Sequence, residues 1–172
     1  MPLSLSELTT KLDAIEINYR VDKDRVRLNF RTDVYTDRDG DENVHLTMHL
    51  EDEGETLRIY AYQAYRLPKE EFPAKLAAVQ QTLNQLNWET KLGIYEMDTE
   101  DGEIRIGTDF SIEDGTVTEK QLKRLVYLVP HLADRDYVSI QAALTHGTAL
   151  INHEETCRRF DAAMIERDRG MR

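Results

Sequence analysis

Apolar positions along the chain change period several times, and each change predicts an element. Leu5, Leu8, Leu12 and Ile15 recur at helical spacing, and Ser4 with Glu7 forms a capping-box signature ahead of them. The period then drops to two. Val26, Leu28 and Phe30 alternate with Arg25, Arg27 and Arg31, and Val44, Leu46, Met48 and Leu50 alternate with His45, Thr47, His49 and Glu51. Both runs predict half-buried strands. A third strand, about residues 56–65, sends Leu57, Ile59 and Ala61 one way and Tyr60 and Tyr62 the other. Apolar groups on both faces predict either a central strand covered twice or a strand carrying a binding surface.

Pro68 closes that strand. Phe72, Leu76, Val79, Leu83 and Leu86 then mark an amphipathic helix ending near Asn87. A hairpin follows, from Leu92, Ile94, Tyr95 and Met97 through Asp101-Gly102 to the alternating run Ile104–Ile112. Thr118 with Gln121 opens another helix, with Pro130 expected to bend it and Tyr137, Ile140 and Leu144 continuing it. Asn152 and Glu155 predict a cap for a last helix carrying Cys157, Phe160 and Met164. The order α-β-β-β-α-β-β-α, plus the C-terminal helix, predicts an α+β fold. In it, an antiparallel sheet of about five strands has its helices packed on one face. The expected division is one domain over 1–147 and an appended helix over 148–172.

Composition changes the picture mainly through charge. With 22 Lys+Arg against 33 Asp+Glu, the 172-residue chain carries −11 at neutral pH. Residues 151–172 hold five arginines and five acids, so the excess lies in residues 1–150. Most of it sits in turn-like clusters such as Asp37-Arg38-Asp39-Gly40-Asp41-Glu42 and Glu51-Asp52-Glu53-Gly54-Glu55. Such a balance opposes phosphate-tracking surfaces, so nucleic acid is not an expected partner. No apolar run approaches the roughly 20 residues of a membrane span. Neither a secretory leader nor a disulfide framework is expected, since Cys157 is the sole cysteine. A cytoplasmic protein is expected.

The element order resembles the YbjN-like family, whose fold is shared with the type III secretion chaperones. The residues that carry this are the helix ending in Leu83-Asn84-Gln85-Leu86-Asn87, the strand and acidic turn after it, the Ile104–Ile112 strand and the Thr118-Glu119-Lys120-Gln121-Leu122 helix entry. The resemblance spans roughly residues 5–146. It implies a small acidic homodimer without enzymatic activity, and in the chaperones the related dimer holds an unfolded client segment along grooves on its sheet. YbjN-like proteins are described as sensory or stress regulators.

Candidate chemistry is sparse. His45, His49 and Glu51 share one strand face, but i and i+4 positions lie about 13 Å apart along a strand, too far for one ion. Starting from Asp37, the sixth position of an EF-hand loop falls on Glu42 where glycine is required. Cys157 has only His153 nearby and reads as a core residue. Arg25, Arg27 and Arg31 with Tyr19, Tyr60, Tyr62 and Tyr65 superficially suit single strands, but cross-strand ion pairing accounts better for them. No metal, cofactor or catalytic residue is assigned.

The expected function is a non-enzymatic, chaperone-like or adaptor-like homodimer that binds a polypeptide. Tyr60, Tyr62 and Tyr65 are the expected partner surface, and Leu83, Leu86, Trp88 and Ile94 the expected dimer interface. The alternatives are a stress or sensory regulator that rearranges its dimer, with the C-terminal helix as a displaceable cover, and a small enzyme with an unrecognised carboxylate site.

Overall fold

A computed structural model describes residues 2–113 and 115–149. The N-terminal helix α1 (Leu5–Ala14) starts at the predicted capping box: Ser4 Oγ accepts from the Glu7 N–H, and the Glu7 carboxylate accepts from the Ser4 N–H at 2.8 Å. Four strands follow: β1 (Arg20–Asp22), β2 (Arg25–Arg31), β3 (Asn43–Glu51) and β4 (Thr56–Arg66). After helix α2 (Phe72–Glu89) come β5 (Ile94–Met97), β6 (Glu103–Ser111) and helix α3 (Glu119–His146).

All six strands form one antiparallel sheet in the order β1-β2-β3-β4-β6-β5. The α+β class stands, with one strand more than the five expected. The extra one is β1, whose three residues turn back onto β2 through Lys23 at positive φ. It is too short to show alternation. Helix α3 also differs from expectation. It runs unbroken through Pro130, which is buried, because its other backbone bonds and eleven buried positions outweigh the one N–H lost. The helix ends where the sequence breaks, with Gly147 in the left-handed conformation at φ 63°. The expected last helix, with Cys157 and His153, lies outside the described residues.

Alternation explains the layering. Val26, Leu28, Leu46, Met48, Leu57, Ile59, Ala61, Ile104 and Ile106 face α1, α2 and α3 and form one core with Leu8, Leu12, Val79, Leu83, Leu86, Leu122, Val126 and Val129. The other sheet face carries no helix among the described residues and is polar.

Three tyrosines are sealed on the helix side: Tyr35, Tyr65 and Tyr95. Removal from water pushes each hydroxyl well above its ordinary range. Their folded pKa values lie above the unfolded value near 10, so their contribution to stability is complete below about pH 10 and is lost as pH rises beyond it. Alkaline titration should therefore give phenolate absorbance in two stages. Exposed tyrosines should ionise first and these three only together with loss of structure. A single smooth titration of all eight tyrosines, with the fold intact, would contradict this.

Candidate functional site

Alternation along four strands brings Arg25, Arg27, His49, Glu51, Arg58, Tyr60, Arg105 and Asp109 onto the uncovered sheet face. Most of its charges are paired locally. Arg27 Nε donates to Asp22 at 2.9 Å, Arg31 pairs with Glu42 at 3.2 Å, and Arg105 Nε donates to Glu96 at 2.8 Å. Arg58 bridges Glu51 at 3.2 Å and Asp109 at 2.8 Å. The basic strand noticed in the sequence thus forms a cross-strand ion-pair lattice. His49 Nε2 lies 3.0 Å from Glu51 Oε1, whereas His45 is exposed. Among the described residues no three His, Cys, Asp or Glu are grouped to hold a metal ion.

The structure separates the three candidate tyrosines. Tyr60 is on the uncovered face but only 1% exposed. Its ring lies against Gly107 on the neighbouring strand, where a Cβ would come within 2.3 Å of it. The Arg58 and Arg105 guanidinium groups sit 4.8 and 4.9 Å from its centroid. Such contacts contribute about 0.5–2 kcal/mol each. Its hydroxyl donates to Asp109 at 3.1 Å, and burial above all pushes its pKa upward. Tyr62 stacks on it at 5.6 Å and remains 37% exposed. Tyr65 is in the core, in edge-to-face contact with Tyr35 at 5.5 Å. It stands an odd number of residues from both Tyr60 and Tyr62, and it pairs with Ile104 as Ala61 pairs with Ile106, so it returns to the helix face. Tyr65 is therefore not part of a free surface.

The four residues expected at a dimer interface divide in the same way. Leu83 and Leu86 are buried because they continue the Val79 stripe of α2 onto the sheet. Trp88 is two positions beyond Leu86, on the opposite side of the helix, and is 85% exposed. Leu92 and Ile94, a few residues further along the chain, are exposed too. Here β5 is an edge strand, yet the Tyr95 backbone is not open. The Asn87 carboxamide accepts from Tyr95 N–H at 2.8 Å and donates to Tyr95 C=O at 2.9 Å, as a neighbouring strand would.

A further feature, missed in the sequence, lies where the sheet opens. The β3–β4 ladder ends at Thr47–Tyr60, although β3 extends back to Asn43 and β4 on to Arg66. Between Ala61 and Tyr65, β4 bulges: four residue steps on β4 match two on β6, from Ile106 to Ile104. Gln63 takes φ 53° there, and its N–H donates to Glu103 at 3.1 Å. The gap is a groove of about 450 Å³ between Asn43, Val44 and His45 on one side and Tyr62, Gln63 and Ala64 on the other. A second hollow of about 330 Å³ shares Asp37, Arg38 and Ala64 with it and leads to Leu144 and Thr145.

The β2–β3 loop walls this groove and is pinned. Asp134 of α3 accepts the backbone N–H groups of Asp33, Val34 and Tyr35 at 3.1, 2.8 and 2.8 Å. Thr36 Oγ1 meets the Tyr137 hydroxyl at 2.7 Å, and Tyr35 donates to the Ala64 carbonyl at 2.9 Å. Asp37 Oδ1 accepts from Asp39 and Asp41 N–H at 2.9 Å each, so the acidic cluster is a turn at the groove's rim.

No helix of the described residues is long and apolar enough to cross a membrane. No curated protein matches the chain in sequence. A family model described as "Putative bacterial sensory transduction regulator" matches residues 7–142, from α1 almost to the end of α3 and so including every strand and the groove. With its α+β architecture and a match over most of its length, the chain belongs to the YbjN family.

Proposed function

We propose that the chain is a non-enzymatic protein-interaction module that acts as a symmetric homodimer and regulates by binding a polypeptide. The observation that carries this is the exposed Trp88 at the end of α2, followed in the chain by the exposed Leu92 and Ile94, while the charges of the sheet face are mostly satisfied within the chain. Large aromatic residues are expensive to leave in water and anchor interfaces when covered. The Asn87 carboxamide occupies the Tyr95 backbone, so a partner meets this edge through side chains. A second copy is the fitting occupant, because one patch facing itself across a two-fold axis closes the assembly. The family description favours a regulatory variant of this reading, in which a signal alters the geometry of the pair.

Sedimentation at micromolar concentration should give about 40 kDa, twice the chain's 20.0 kDa. Trp88→Asp should raise the dissociation constant by about 30-fold or more, as loss of a hot spot does. Trp88 is the only tryptophan, so its fluorescence should shift to the blue as the pair forms. A 20 kDa species whose emission ignores concentration would reject the dimer.

A further inference from the structure

We infer that the opening between β3 and β4 is a docking site for an extended segment of another polypeptide. The segment would be held through its backbone, with basic side chains against Asp37 and Asp39. This deepens the reading of the chain as an interaction module and rests on it, but uses a surface distinct from the Trp88 patch.

Neighbouring strands in the middle of a sheet rarely part, because each residue carries a donor and an acceptor that must find partners. Here β3 stays paired with β2 through Asn43, and β4 pairs with β6 on both sides of its bulge as far as Arg66, while the ladder between β3 and β4 stops at Thr47–Tyr60. Antiparallel strands direct the N–H and C=O groups of alternate residues to opposite sides. Continuing the parity of the Thr47–Tyr60 pair, the backbones of His45 and Tyr62 turn toward the gap, whereas the Asn43 N–H is taken by the Asp41 carbonyl and the Gln63 N–H by Glu103. The Ala64 carbonyl is taken by Tyr35.

The opening is held in shape, since Asp134 and Tyr137 fix the loop that walls it and the Tyr35–Tyr65 pair packs beneath. Fixing the receiving surface in advance lowers the entropy cost of binding. Tyr62 offers a half-exposed aromatic shelf at the rim. Charge selects the occupant: with Glu42 paired to Arg31, the loop still holds Asp37, Asp39 and Asp41 against Arg38, which favours a segment rich in lysine or arginine. Strand addition of this kind takes affinity from main-chain bonds and specificity from alternate side chains.

Fluorescence polarisation of the full chain with a labelled Val-Lys alternating decapeptide tests this. Two controls are a Val-Glu decapeptide and a Val-Lys decapeptide N-methylated at alternate residues. The Val-Lys peptide should bind, and both controls should bind about tenfold more weakly or worse. Asp39→Lys and Tyr62→Ala alter exposed side chains, so the melting temperature should hold, and each should weaken binding severalfold. Equal binding of the N-methylated peptide would reduce the effect to charge attraction and overturn the proposal, as would indifference to both variants. A photocrosslinker at position 62 that captured a second copy, or the chain's own residues 150–172, in place of the peptide would also overturn it. A monomer that takes up the peptide would sink the dimer and leave the groove standing; a dimer that ignores the peptide does the reverse.

Discussion

Replacing Asp136 with alanine should lower folding stability by about 3–5 kcal/mol, the range for breaking a buried ion pair from one side. Asp136 is 0% exposed in the middle of α3. It accepts from the guanidinium of the preceding Arg135, at 2.8 Å from Nε and 2.5 Å from Nη2, and from the Tyr95 hydroxyl. The same Arg135 nitrogen donates to Thr90 Oγ1 at 3.0 Å. Without the carboxylate, a largely buried cation loses its counter-ion, and the Tyr95 hydroxyl loses its charged acceptor and is left with the Leu132 carbonyl at 3.1 Å. The hydrogen bond to Asp136 is the main reason that the Arg135 pKa stands above its ordinary value. This network ties α3 to β5 and to the turn after α2, the corner that carries Trp88. Urea denaturation should show the midpoint falling at unchanged slope. A loss under about 1 kcal/mol would mean that the cluster does not act as a unit.

Leu86→Ala should cost about 2–5 kcal/mol, the range for emptying a core leucine site. The loss should not depend on protein concentration, because Leu86 packs inside one chain. Trp88→Ala should leave the isolated chain within about 0.5 kcal/mol, as surface changes do, and act through association alone. Denaturation at two concentrations a hundredfold apart separates the two. If Leu86→Ala acted only at the higher concentration, the assignment of core and interface within α2 would have to be reversed.

Much of this fold is legible in the residues, and what is hidden shares one physical cause. Both capping boxes, the α2 stripe and four of the strands follow from spacing within short windows, where the backbone period alone decides which side chains meet. Features that depend on which strands sit side by side leave no such mark. Tyr60 reads correctly as facing away from the helices, but its burial depends on Gly107 and Arg105 arriving from β6. Gln63 adopts a positive φ without being glycine or asparagine, so the bulge carries no turn signature. Asp134-Arg135-Asp136 carries no spacing that marks a role, yet one acid holds the β2–β3 loop and the other lies in the core. The groove arises where a ladder stops, and ladder length is set by pairing rather than by either strand alone. Counting parity from Tyr60 places Tyr65 inside, but the same count also places Gln63 inside, where the bulge leaves it exposed.

The Asn87 carboxamide on the rim of β5 bears on how such chains assemble at high concentration. A bare β edge is a template on which copy after copy can be laid down, ending in fibres. A side chain standing in for the next strand ends that growth at a single amide. Copies meeting at this corner would then touch through side chains, without adding strand to strand at Tyr95.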